Sequence, residues 1–90
     1  DPDLLEATWN RLKKVMAPGA LDPVTKELIY IAVSIINGCE YCIHSHTAMA
    51  RKKGMTEEMR SELLAVIAMA SQTNALANAY QIEVDADFKK

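Results

Sequence analysis

Apolar residues in this chain return every three or four positions, and no stretch alternates polar with apolar in the two-residue rhythm of a half-buried strand. That period admits helices and little else. Leu5, Trp9, Leu12 and Met16 make one such series, Val24, Leu28, Ile31 and Ile35 a second, and Leu63, Val66, Ile67 and Ala70 another. The expected fold is all-α: a single domain over residues 1–90, a bundle of about five helices.

The breaks between helices follow from side-chain chemistry. Asp3 is placed to cap a helix from Leu4 to Met16, which Pro18-Gly19 ends. Asp22-Pro23, a capping acid followed by proline at the first helical position, starts a helix that should run to Asn37 and stop at Gly38. A third helix is expected from near Cys39 to near Lys53. Its basic end, Arg51-Lys52-Lys53, offsets the negative end of the helix dipole, and Gly54 supplies a left-handed cap. Thr56, with Glu57 and Glu58 behind it, opens a fourth. An Ala- and Asn-rich fifth segment is expected from Gln72 to Gln81, ahead of a polar tail from Glu83 to Lys90 that can fray.

Half of the 90 residues are hydrophobic, yet aromatics are few, so the core must be aliphatic. A chain this short buries only a modest fraction of its surface on itself. Part of the apolar surface is therefore expected to lie between subunits of a homo-oligomer. A net charge of −2 with dispersed acids and bases excludes a nucleic-acid footprint. No apolar run approaches the length of a membrane span, and no signal-peptide pattern is visible. The chain opens on Asp1 rather than Met, which leaves room for a short leader ahead of it. A cytoplasmic location is the default expectation. Two cysteines three residues apart do not make a disulfide-stapled scaffold, and a bridge across so short a loop would pin little of the unfolded chain.

Those cysteines sit in Gly38-Cys39-Glu40-Tyr41-Cys42-Ile43-His44-Ser45-His46. If this segment opens a helix, Cys39, Cys42 and His46 fall at roughly 0°, 300° and 340° around its axis, and His44 at roughly 140°. The thiols and His46 thus share a face that His44 does not. A helix N-terminus favours the thiolate, the reactive form of cysteine. One thiolate can attack while the other resolves the product as a disulfide. Glu27 flanks the apolar stripe of the preceding helix, with Tyr30 and Ser34 beside it. A carboxylate partly buried there, near the thiols or His46, could accept a proton with a raised pKa. Tyr41 packs over and shields such a site in the simplest reading. A zinc site would need Cys39, Cys42, His46 and Glu27 as its four ligands, but the usual zinc signature pairs two such clusters. Neither a metal nor any other cofactor is assigned.

Glu27, then Cys39-x-x-Cys42, then His46, with the phrase Asn37-Gly38-Cys39-Glu40-Tyr41-Cys42, resembles the AhpD-like alkylhydroperoxidase branch of the carboxymuconolactone decarboxylase family. The resemblance covers roughly residues 22–79. It implies an AhpD-like bundle completed by oligomerisation as trimers or hexamers. It also implies a dithiol-dependent peroxidase: Cys42 attacks a hydroperoxide and becomes a sulfenic acid, Cys39 resolves it, and Glu27 and His46 relay the proton. An external dithiol, in some members a lipoyl-bearing protein, would restore the thiols. The decarboxylase branch lacks the CxxC pair, which turns the expectation away from lactone decarboxylation. Some members carry histidine immediately before the second cysteine, where this chain has Tyr41, so a relay here has one imidazole fewer. The other readings are a general thiol–disulfide oxidoreductase, a redox or metal-binding sensor without peroxidase turnover, and an oligomeric scaffold with a vestigial site.

Overall fold

The structure, a computed structural model, describes residues 1–90. It holds four α-helices and no strand: α1 (Pro2–Met16), α2 (Pro23–Asn37), α3 (Glu40–Lys52) and α4 (Glu57–Ala79), followed by one 3-10 turn at Ala86–Lys89.

The caps place most boundaries where the sequence put them. Asp22 Oδ1 accepts the Thr25 N–H at 2.8 Å and starts α2. That hydrogen bond holds the Asp22 carboxyl below its ordinary value. Gly38 ends α2 at φ 71°, a conformation that costs glycine little. There the Gly38 N–H donates to Ile35 O and the Cys39 N–H to Ser34 O, at 3.1 and 2.9 Å, satisfying carbonyls the helix would leave open. Gly54, at φ 114°, repeats the device after α3. Thr56 Oγ1 accepts the Met59 N–H and opens α4. At the N-terminus the cap is Asp1 rather than Asp3, so α1 starts two residues earlier than expected.

The expected fifth helix is not a separate element. Its residues belong to α4, which runs unbroken for 23 residues. Ser71-Gln72-Thr73-Asn74 is polar, but it contains neither proline to remove a backbone donor nor glycine to loosen the chain. The Thr73 hydroxyl is satisfied within the helix by Ala70 O. The helix stops only where Gln81 turns to φ 52°.

The core lies between α2, the end of α3 and the start of α4. Ile31, Ala50 and Met55 are buried, with Val24, Leu28, Ile35, Met59 and Leu63 packed against them. The expected α2 stripe is therefore all in place. The α4 stripe is in place only in part: Ile67 is half-buried, whereas Val66 and Ala70 are exposed. On α1, Leu12 and Met16 are half-buried and Leu5 and Trp9 exposed. Only six of 90 residues are buried. The radius of gyration is 16.3 Å, against about 12 Å for a compact domain of this length. Most tertiary contact is between α2 and α3, while α1 and α4 reach away from that pair.

Candidate functional site

The link between α2 and α3 sets the site. The tight turn at Gly38 delivers Cys39 to the N-cap of α3, where its sulfur accepts the Cys42 N–H at 3.3 Å. Sulfur here takes the place usually held by a hydroxyl or carboxylate oxygen. The consequence is electrostatic. Hydrogen bonds from the Cys42 side chain and backbone hold the Cys39 thiol below its ordinary value. Giving that hydrogen bond, partial burial and the nearby Cys39 charge all push Cys42 the other way, although its own backbone opposes them. Both cysteines are free thiols and half-buried. As pH rises, Cys39 is therefore the first of the two thiols to ionise.

One turn further along α3, His46 Nδ1 lies 2.6 Å from Glu27 Oε1 on α2. Glu27 is only 1 % exposed, the largest side chain in the protein to be so fully buried. An ionic group at that depth is tolerable only with partners for its charge. Its other oxygen, Oε2, accepts from Lys53 Nζ at 2.7 Å. Tyr30 stacks on the His46 ring, with centroids 3.7 Å apart and planes 22° from parallel. No buried polar side-chain atom is left without a partner.

The four expected site residues lie on the α2–α3 pair. Cys39, Cys42 and His46 ride on the same helix start, and Glu27 meets His46 across the helix pair. His44 is exposed, as its angle requires. Tyr41, expected to shield the site, is 80 % exposed instead, because its angle carries it away from α2. Two contacts escaped the reading. The Tyr30–His46 stack was signalled only by the flank position of Tyr30. Lys53 had a stronger signal: it lies fourteen residues after Cys39 and seven after His46, which returns it to roughly 320°, the face of the thiols.

Beside the Glu27–His46 pair lies an open cleft of about 370 Å³. Trp9, Leu12 and Met16 of α1 and Met49 of α3 supply apolar wall, with Lys13 at the rim. No group of three or more His, Cys, Asp or Glu side chains is gathered closely enough to hold a metal ion. No helix is long and apolar enough to cross a membrane.

The model of the carboxymuconolactone decarboxylase family matches residues 2–83. The chain belongs to that family. Within the family it sits with AhpD-like, CxxC-containing members. The crystal structure of the alkylhydroperoxidase AhpD core from Rhodospirillum rubrum superimposes with a TM-score of 0.95 at 57 % identity, covering all of this chain and 67 % of that one. A structure from Methanobacterium thermoautotrophicum matches with a TM-score of 0.79 at 30 % identity, over 90 % of this chain and 93 % of that one. Alkyl hydroperoxide reductase AhpD of Solibacter usitatus is 40 % identical over 72 residues, 80 % of this chain. The chain spans 39 %, 60 % and 32 % of the curated relatives from Solibacter usitatus, Paracoccus denitrificans and Bacillus subtilis, less than two thirds of each.

Proposed function

We propose that the protein is a dithiol-dependent peroxidase that cycles between the Cys39 and Cys42 thiols and a Cys39–Cys42 disulfide. The observation that carries this reading is the buried Glu27–His46 pair, set one helical turn from a cysteine pair whose first sulfur caps the helix.

The chemistry follows from the geometry. An ionised carboxylate only accepts hydrogen bonds, so Glu27 Oε1 fixes the proton of His46 on Nδ1 and leaves Nε2 free to take or give one. Cys39 ionises before Cys42, which leaves a proton on Cys42. When that proton passes from Cys42 to His46 Nε2, the anion stands on Cys42 and the imidazole carries the proton. Cys42 Sγ then attacks the terminal oxygen of a hydroperoxide: an S–O bond forms, the O–O bond breaks, and the alkoxide takes its proton from His46. The Cys39 thiolate displaces hydroxide from the Cys42 sulfenic acid, forming the disulfide and, with a proton, water. Two electrons have moved from the thiols to the peroxide. An external dithiol returns them, and a lipoyl-bearing protein suits that chemistry. The names of the AhpD relatives support hydroperoxide as the oxidant. The exposed apolar faces of α1 and α4 support a homo-oligomer; a trimer or hexamer is what the family resemblance implies, and a cytoplasmic location is the default reading.

The test is hydroperoxide consumption with a dithiol donor. Turnover should disappear in both Cys39→Ser and Cys42→Ser, and a sulfenic-acid trap should label Cys42 in the first variant and nothing in the second. Full turnover in either variant sinks the dithiol cycle. Disulfide exchange without peroxide consumption would leave the general thiol–disulfide oxidoreductase in its place.

A further inference from the structure

Lys53 closes α3 and has an ordinary explanation there, as a cation at the negative end of the helix. Its side chain does something more specific. Nζ sits 2.7 Å from Oε2 of Glu27, and the Lys53 side chain is itself 28 % exposed. The neighbouring Arg51 instead pairs with Glu57 at the surface, both half or more exposed. Lys53 is thus the basic residue of that run that reaches inward.

We propose that Lys53 is a positioning residue of the proton relay: its ammonium fixes the Glu27 carboxylate, which in turn holds His46 in the Nδ1–H form. The proposal rests on the dithiol reading above and deepens it.

Both oxygens of Glu27 are used, Oε1 by His46 and Oε2 by Lys53. Charge-assisted hydrogen bonds of this length fix orientation as well as charge. Without Lys53 the buried carboxylate keeps the imidazole as its one partner, and it can relieve its burial by taking up a proton. A protonated Glu27 would donate its O–H to Nδ1. The imidazole proton would then stand on Nε2, and that nitrogen could no longer accept one from a thiol. Removing a cation that makes no contact with either sulfur would in this way disable the base of the proposed relay. The charged and titratable groups around Glu27 are His46 and Lys53 from α3, Tyr30 on its own helix, and Lys13 of α1 across the cleft.

The experiment uses the reduced full chain with tert-butyl hydroperoxide as oxidant. It measures the rate of thiol oxidation in Lys53→Met, Lys53→Arg, Glu27→Gln and the Lys53→Met/Glu27→Gln double variant, with ¹⁵N imidazole shifts to read the His46 tautomer. Lys53→Met should slow oxidation by about tenfold to a hundredfold, within the range that acid–base groups contribute. Lys53→Arg should restore most of the rate. The double variant should be no slower than Glu27→Gln alone, because both changes act through one carboxylate. The ¹⁵N pattern should move from Nδ1–H to Nε2–H in Lys53→Met. An unchanged Lys53→Met rate beside a slowed Glu27→Gln overturns the proposal and leaves the dithiol relay standing, as do additive effects in the double variant. A wild-type rate in Glu27→Gln overturns the relay itself. Should Lys53→Met fail to fold, the wild-type spectrum still decides, since an Nε2–H tautomer there is incompatible with the proposal.

Discussion

The α2–α3 pair and the two outer helices solve the same problem in opposite ways. Within the pair the α2 stripe finds cover, although Ile29, Val33 and Ile36 beside it stay exposed, and the buried charge of Glu27 has two partners. On the outer helices much apolar surface stays open, at Leu4, Leu5, Trp9 and Val15 on α1 and Val66, Met69 and Leu76 on α4, although Leu12, Met16, Met59, Leu63 and Ile67 are half-buried. The Glu27–His46 and Glu27–Lys53 contacts thus form inside one chain, whereas much of its apolar surface stays uncovered. Chemistry needs ångström precision from a few residues, which a short hairpin supplies. A core needs area, which 90 residues cannot supply alone.

That contrast can be broken in several ways. Ile31→Ala, in the filled centre of the pair, should lower stability by about 2–4 kcal/mol, read by denaturant unfolding. A loss near zero would mean that α2 and α3 are not the stable unit. Leu76→Ser, on the open face of α4, should leave thiol oxidation unchanged. The wild-type thermal midpoint should rise with protein concentration and that of Leu76→Ser should rise less, because partner binding to the folded state is concentration-dependent. Equal behaviour of the two would take that face out of any subunit contact.

The dithiol offers a finer test inside the pair. Cys39 lies below, and Cys42 above, the ordinary thiol value of 9.0. As pH rises the Cys39 thiolate appears first, so iodoacetamide should alkylate Cys39 at pH values below 9.0 while Cys42 lags. Equal labelling of the two sulfurs, followed by mass spectrometry, would show that the N-cap does not separate them. The smallest effect belongs to Arg51→Ala. Its exposed pair with Glu57 should contribute less than about 1 kcal/mol, in contrast to the buried pair that Lys53 makes two residues later.

How much of this was legible beforehand depends on whether the signal was local. Helix limits at Asp22-Pro23, Gly38, Gly54 and Thr56 were readable because each cap is written in adjacent residues. The break expected near Gln72 was not there, because polar composition alone removes no backbone hydrogen bond. Cys39, Cys42 and His46 were readable through helical angle. The family resemblance set Glu27 beside them, but its depth, at 1 % exposure, depends on how α3 lies over α2, which no single helix encodes. Lys53 was hidden by an adequate local explanation: a basic residue at a helix end asks for no second role.

The sulfur cap on α3 also bears on energetics. A thiolate at Cys39 accepts the Cys42 N–H and completes the first turn of the helix. In a Cys39–Cys42 disulfide that sulfur carries no charge, and the cap weakens. Whatever stabilises the thiolate therefore stabilises the reduced protein relative to the oxidised one, which raises the reduction potential of the couple. In the proposed cycle, the hydrogen bond that begins α3 would thereby make the disulfide easier for a dithiol donor to reopen, so that one contact bears on both the helix start and regeneration of the thiols.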